Sequence, residues 1–401
     1  MNDGLLRPAA RLSDVEPSKI RVIFDRAHEL EDQGAHIYHL EIGRPDFDTP
    51  ALIKQATIAA LNAGAVHYAS NWGIVELRKA IAAKLARENG LTYAPVDEIV
   101  ATIGANEAVW IAMMAYLNPG DEVIIPVPAW PHYAPCVRLA GGVPVFLPLQ
   151  GADGWRIDPE ALGRAITPRT RMVILCTPQN PTGAVLDRPR LEAIAAQLEG
   201  TNVLAISDEI YEHLIYEGAR HVSPASIPGM RERTLLVSGF AKAYAMDGWR
   251  LGYLAGPRDL IKWALRVHQY TTVCVPTFEQ YGAAAALDGP QDERDKMVAE
   301  FARRRRALLD YLATQDVLRY SPAEGAFYLW VTYPESAPPA SELAMSVLEE
   351  AHVAVVPGTA FDETQEHALR IAYSAPLEDV TEGVRRLVEY IRAHQGVALV
   401  G

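Results

Sequence analysis

The chain has 401 residues, 49% of them hydrophobic and 22% charged, which is enough apolar material for one large domain and a smaller one. Its formal net charge of -13 argues against nucleic acid or an anionic membrane as a partner, since either needs a basic face. Three scattered cysteines (Cys136, Cys176, Cys274), no signal-like N-terminus and no bilayer-length apolar run lead us to expect a protein of the reducing cytoplasm.

Residues 1–17 are polar and punctuated by proline, and read as a loose arm. Helical spacing of Ile20, Ile23, Phe24, Ala27 and Leu30 predicts a helix over 18–34, and the alternation His36 to Ile42 predicts a strand that stops at Gly43. A turn-rich loop, Arg44 to Pro50, precedes a helix at about 51–63, and another loop, His67 to Gly73, precedes a helix over 75–89. Ile99 to Ile103 is a predicted strand that runs through Gly104-Ala105-Asn106 into a helix ending at Leu117, and such a helix start is an anion site.

The alternation continues. Strands are predicted at 122–126, 143–147, 171–176, 203–207 and 234–237, with helices at about 131–140 and 188–199. Short β-branched runs alternating with helices imply an α/β fold with a mostly parallel sheet covered on both faces. After about residue 290 the texture becomes that of a smaller α+β domain. It has a long charged helix over 292–312, strands near 326–332, 353–356 and 369–373, and helices at 340–350 and 377–395. The expected division is an N-terminal arm with part of the small domain (1–45), a large domain (46–290) and a small C-terminal domain (291–401). Arg303 to Arg306 would fan around the helix axis and are read as a solvated face.

Asn180, Asp208 and Lys242 each fall just past the C-terminal end of a predicted parallel strand, where open α/β sheets bind ligands. Each has an ordinary reading alone: Asn180 in a turn, Asp208 as a helix N-cap, Lys242 snorkelling from a strand end, and Tyr211 nearby as core. Together they suggest one site. A lysine in a dry setting can lose its proton and act as an amine nucleophile.

The sequence resembles the fold type I, class I/II aminotransferases of the aspartate aminotransferase superfamily, which use pyridoxal 5′-phosphate (PLP). The resemblance is carried by Gly43 to Phe47, by Tyr68 with Gly73, by Pro128-Ala129-Trp130 and by Thr177 to Gly183. It continues through Ser207 to Tyr211, Ala241-Lys242 with Gly248-Trp249-Arg250, Glu324 to Tyr328, Pro357-Gly358 and Leu369 to Tyr373. The resemblance implies that Lys242 holds PLP as a Schiff base and then moves a proton between substrate Cα and the cofactor. Asp208 would pair with the pyridine nitrogen, Asn180 and Tyr211 would donate to the phenolic oxygen, and Trp130 would stack on the ring. The backbone N–H groups of Ala105 and Asn106, with Arg250, would hold the phosphate. Tyr68, and with it Thr271 or Thr272, would reach the phosphate of a second subunit, which implies a homodimer. Arg370 would clamp the substrate α-carboxylate beside the Gly43 backbone, with Trp130 and Asn180 also lining the substrate.

Departures from the family pattern are Gly239 where a phosphate-binding hydroxyl is usual, with Ser238 as a possible substitute, and Asp247 where threonine is usual. A third is Asn106, where aspartate-using members often carry lysine. His132 and Tyr133 read as packing or rim residues. The implied reaction is amino transfer between an amino acid and a 2-oxo acid, with glutamate and 2-oxoglutarate as one pair. The same cofactor could serve a lyase, a decarboxylase or an oxidase. A DNA-binding ligand sensor on the same scaffold is disfavoured, because only about forty residues precede the large domain and they show no helix-turn-helix.

Overall fold

A computed structural model describes residues 9–394. Residues 1–8 of the expected arm, and residue 395 of the expected last helix, lie outside that range. The central element is a seven-stranded sheet. Its spatial order is Ile99–Thr102, Gly252–Ala255, Thr234–Gly239, Leu204–Asp208, Thr170–Cys176, Glu122–Val127 and Val143–Pro148. The last five of these pair in parallel. Gly252–Ala255, a strand our reading left out, runs antiparallel to both its neighbours. The inner strands are buried along their length, as their near-continuous apolar runs require, whereas the outer strand Val143–Pro148 is largely accessible and carries Pro144 and Pro148, which an edge tolerates.

Helices flank this sheet. Gly104–Tyr116, Tyr133–Leu139 and Arg188–Leu198 lie where expected. Pro159–Ala165, Arg258–Thr271 and Thr277–Asp288 are additional. The buried face of Arg258–Thr271 is Ile261, Ala264 and His268, so a fully enclosed histidine stands where the helical pattern would call for an apolar residue.

The C-terminal part has a second sheet, ordered Val356–Pro357, Ala368–Ala372, Tyr328–Thr332 and Arg319–Tyr320, all antiparallel. The strand expected at 353–356 divides: Val353–Ala354 pairs in parallel with Tyr38–His39, and Val356–Pro357 joins the antiparallel sheet. The strand expected from His36 to Ile42 is correspondingly only Tyr38–His39. Leu40 still donates to the Ala354 carbonyl and accepts from the Ala372 N–H; beyond it side chains take the carbonyls, Arg370 that of Glu41, Ser374 that of Ile42 and Lys242 that of Gly43. The helix Lys19–Asp32 ties the N-terminal segment to this part through Arg26 and Glu349, 3.1 Å apart.

The arginine quartet is not a solvated face. Arg303 and Arg306 are exposed, but Arg304 and Arg305 are buried. Arg304 donates to Asp46 Oδ1 at 2.9 Å, to the carbonyls of Ser374 and Ala375 at 2.8 and 2.6 Å, and through Nε to Glu300 at 2.9 Å. Its guanidinium lies 5.3 Å from the Phe47 ring, and Arg305 donates to the Ala323 carbonyl. A guanidinium can be buried when its planar fork finds acceptors on several sides, as here.

Candidate active site

The C-terminal ends of Thr170–Cys176, Leu204–Asp208 and Thr234–Gly239 lie side by side and deliver Asn180, Asp208 and Lys242 to one edge of the sheet. Asp208 is buried. Tyr133 donates its hydroxyl to Oδ2 at 2.7 Å, and the Ile210 N–H reaches Oδ1 at 3.3 Å. Burial raises the Asp208 carboxyl above its ordinary range, against the pull of those hydrogen bonds. Tyr133 is therefore not a rim residue: it is 2% exposed and fixes the orientation of Asp208. Sequence reasoning missed this role, and the one available signal was the position of Tyr133 at the start of a helix just after Trp130.

Lys242 sits on the turn after Thr234–Gly239, between the Phe327 and Tyr211 rings, whose centroids are 5.7 and 5.9 Å from Nζ. Its Nζ donates to the Gly43 carbonyl at 2.5 Å. Burial among these groups, reinforced by the Arg370 and Arg250 charges and opposed by Asp247 and Asp208, pulls its pKa down to about 8. Roughly a tenth of this amine is then unprotonated at pH 7, far more than for an ordinary lysine.

The start of the helix Gly104–Tyr116 faces Arg250. Gly104 has φ +69°, and a side chain there would meet Arg250 Nη2 at 2.9 Å, so the guanidinium packs directly on the first helical turn. The N–H groups of that turn have no partner within the helix. Arg250 has φ +56° and donates to the Asp247 carbonyl at 2.9 Å. Gly252 lets the neighbouring strand approach, since a Cβ there would lie 2.7 Å from the Ala105 nitrogen. Gly239 has the same cause: a Cβ would stand 2.9 Å from Gly252 Cα, so no hydroxyl-bearing residue fits. Ser238 does not substitute for it. Its hydroxyl donates away from this turn, to Glu212 Oε1 at 3.1 Å.

Arg370, on Ala368–Ala372, is 1% exposed. It donates to Asn180 Oδ1 at 3.2 Å and to the Glu41 carbonyl, while its buried Nε has no partner. The guanidinium stands 4.4 Å from the Tyr328 ring and 5.0 Å from Phe361. Tyr328, to which the sequence reading gave no role, shares a 2.8 Å hydrogen bond with the Tyr211 hydroxyl and lies against Gly43 so closely that a Cβ at Gly43 would overlap its oxygen. Trp130 is half-buried beside Tyr133. None of these contacts involves Tyr68, whose side chain is 88% exposed. Thr271 and Thr272 turn their hydroxyls to Val267 and Glu107. His132 lies 3.4 Å from the Asn106 carbonyl and 3.2 Å from Cys136 Sγ, and burial lowers its pKa, so it is neutral at pH 7.

The arrangement gathers an amine of lowered pKa, a buried carboxylate, a helix start packed against the exposed Arg250, and the buried Arg370, whose Nε has no partner among the described residues. Residues 35–387 match the family described as Aminotransferase class I and II. The chain is 41% identical to an aspartate aminotransferase of Pyrococcus abyssi over 387 residues, covering 95% of this chain and 97% of that one. It is 39% identical to aromatic-amino-acid aminotransferase 2 of Thermococcus litoralis, again with 95% and 97% coverage. The solved structure of aspartate aminotransferase from Thermus thermophilus with maleate superposes with a TM-score of 0.90 at 39% identity, covering 96% of this chain and 100% of that one. The mostly parallel α/β sheet, the helix-flanked strand ends and near full-length similarity agree, and the chain belongs to the class I and II aminotransferases, as an enzyme that transfers amino groups.

Proposed function

We propose that this site binds PLP and uses it to move an amino group between an amino acid and a 2-oxo acid. The observation that carries the reading is Lys242, an amine with a pKa lowered to about 8, held on the same sheet edge as buried Asp208. The residues fit the cofactor's chemistry. The first turn at Ala105 and Asn106, with Arg250 packed on it, suits a phosphate. Asp208 suits a ring nitrogen. Tyr211 and Asn180 suit the phenolic oxygen, and Trp130 the ring face. When bound, PLP supplies an electron sink for the carbanion left when Cα loses its proton.

The protein's own groups then have definite tasks. Asp208, braced by Tyr133, would hold the cofactor's ring nitrogen. Lys242, whose amine would hold the cofactor, is also the group placed to carry the proton away from and back to the substrate. Arg370 takes the α-carboxylate on a fork that already has one open donor, beside the Gly43 backbone, and so orients the Cα–H bond. The aromatic walls of Tyr328, Phe327 and Phe361 keep water from the reacting atoms.

Tyr68 completes the phosphate site of a second copy in this reading. Exposed Tyr68, Val66, Tyr270 and Val273 need a covering surface, and the segments that carry them are tied together by Asn71 donating to the Val273 carbonyl at 2.6 Å. The protein is then a cytoplasmic homodimer divided at about residues 45 and 290 into a large domain around the seven-stranded sheet and a small domain around the four-stranded one. Neither exposed Asn106 nor neutral His132 offers a cation to a second substrate carboxylate, so aromatic donors belong in any assay beside aspartate and glutamate.

The test is product analysis with a donor panel. The expected result is formation of a 2-oxo acid only when an acceptor such as 2-oxoglutarate is present. Ammonia or peroxide released without an acceptor would overturn transamination in favour of lyase or oxidase chemistry, and a fully active Lys242→Ala protein would overturn the assignment of the lysine.

A further inference from the structure

A second buried cluster lies behind the turn that carries Asp208 and Tyr211, and the reaction proposed above makes no use of it. Along Asp208 to Glu212, Asp208 and Tyr211 bond to Tyr133 and Tyr328 on the site side. Glu209 and Glu212 turn the other way. Glu209 Oε1 accepts from the hydroxyls of Ser207 and Ser223 at 2.8 and 2.7 Å, and Oε2 meets His221 Nε2 at 2.8 Å and Asn89 Nδ2 at 3.3 Å. Glu212 Oε2 accepts from Asn89 at 2.8 Å and pairs with Lys84, and its Oε1 accepts from Ser238.

Lys84 is 1% exposed, on the last turns of the helix Val75–Asn89. Its Nζ also donates to Asn89 Oδ1 at 2.8 Å and lies 3.7 Å from Glu88, which in turn meets His213 at 2.9 Å. Atoms of Glu209, Glu212 and His221 approach within 4.8 Å of one another, a spacing a metal ion could use. Here each carboxylate oxygen already has a protein partner, and the Lys84 ammonium supplies the positive charge. Burial works to protonate Glu212, but the Lys84 charge prevails and holds its carboxyl well below the usual range.

The cluster grips two parts of the site at once. One is the Ser207–Glu212 turn with Asp208 and Tyr211. The other is Ser238, at the end of the strand that leads to Lys242. Arg370 belongs to a different sheet and is not held by it. We propose that Lys84 is a positioning residue for the amino-transfer site: through Glu212 and Asn89 it holds Asp208, Tyr211 and the approach to Lys242 in reacting geometry. This rests on the PLP reading above.

The experiment compares PLP-loaded Lys84→Met and Lys84→Arg with the unsubstituted protein. Positioning predicts that Lys84→Met lowers kcat about tenfold or more while KM for the amino donor stays within about threefold, because Arg370 is untouched. It also predicts that the pH midpoint of the bound cofactor's visible absorption shifts by about half a unit or more, with partial recovery in Lys84→Arg. A Lys84→Met protein that melts at lower temperature yet keeps kcat and the pH midpoint would show a merely structural lysine and overturn the proposal. If Lys84→Met does not fold, Glu212→Gln is read by the same two measurements, and no change in either overturns it. Absence of the visible band or of amino transfer in the unsubstituted protein would instead overturn the reading on which this proposal stands.

Discussion

Replacing Gly43 with alanine tests the geometry of the site at the point where three functional groups converge. The added methyl would overlap the Tyr328 hydroxyl and come within 3.1 and 3.2 Å of two ring carbons. Tyr328 is 1% exposed and cannot step aside into solvent. Either it moves and gives up its 2.8 Å bond to Tyr211, or the segment moves and withdraws the carbonyls that hold Lys242 and Arg370. Overpacking of this kind costs about 1–3 kcal/mol, and a lost buried hydrogen bond adds roughly 1 kcal/mol. A shift of ~1 Å in reacting groups costs on the order of a hundredfold in rate. We therefore expect Gly43→Ala to lower kcat/KM about a hundredfold and to depress the melting temperature modestly. Tyr328→Phe removes the overlapping oxygen. In that background Gly43→Ala should cost at least ~1 kcal/mol less than it does alone, read from a double-mutant cycle in both stability and kcat/KM. Additivity within about 0.5 kcal/mol would refute the steric argument.

Three further outcomes are expected. In the PLP-free protein, the rate at which Lys242 captures added PLP should rise with pH to a midpoint near 8, because burial disfavours its charged form; a midpoint near the ordinary lysine value would contradict the burial argument. His39 is raised to about 9, chiefly by its bond to buried Glu41, so its contribution to stability should be full below about pH 6.5 and lost as pH rises through 9. Since the ring is partly solvated, the contribution is at most about 1–2 kcal/mol, and a urea midpoint that falls equally over this window in His39→Gln would discount it. Arg304→Ala should destabilise the protein by about 3–5 kcal/mol, since it strands Asp46 and two carbonyls, whereas exposed Arg303→Ala should change stability by less than about 0.5 kcal/mol in chemical denaturation.

The arginine pair shows where sequence reading stops. Helical periodicity places Arg304 and Arg305 at successive angles around the axis, but whether a face is wet depends on what arrives opposite. Here that is Asp46 and the carbonyls of Ser374 and Ala375, far away in the chain. The same holds for Tyr133 and Tyr328. Each braces a site residue that the sequence does announce, Asp208 and Tyr211, yet each comes from another element, so no local spacing marks it. By contrast, Asn180, Asp208 and Lys242 were legible because a parallel strand ends at a fixed place, and the turn after it is local. The truncation of the strand at Tyr38–His39 was illegible for a related reason: the alternation through Ile42 is real, but the carbonyls of Glu41 and Ile42 accept from the distant side chains of Arg370 and Ser374 rather than from a neighbouring strand.

Those two carbonyls give the site its energetic logic. Lys242 and Arg370 are the two basic side chains the proposed reaction needs, and both bond to the backbone of Glu41 to Gly43. A carbonyl satisfies a donor without neutralising it. Among the described residues the Arg370 guanidinium bonds to neutral acceptors, Asn180 Oδ1 and the Glu41 carbonyl, and its Nε has no partner. Burying a cation this way is unfavourable, and burial accordingly lowers the pKa of both groups. For the arginine, which cannot give up its proton, the remaining remedy is an anion. A carboxylate on the Arg370 fork would satisfy Nε and offset the buried charge together. For the lysine the remedy is loss of its proton, which produces the nucleophile. One short backbone segment thus holds a cation in want of a carboxylate beside an amine that burial brings close to its reactive form, and Gly43 is the residue whose missing side chain lets Tyr328 press that segment into place.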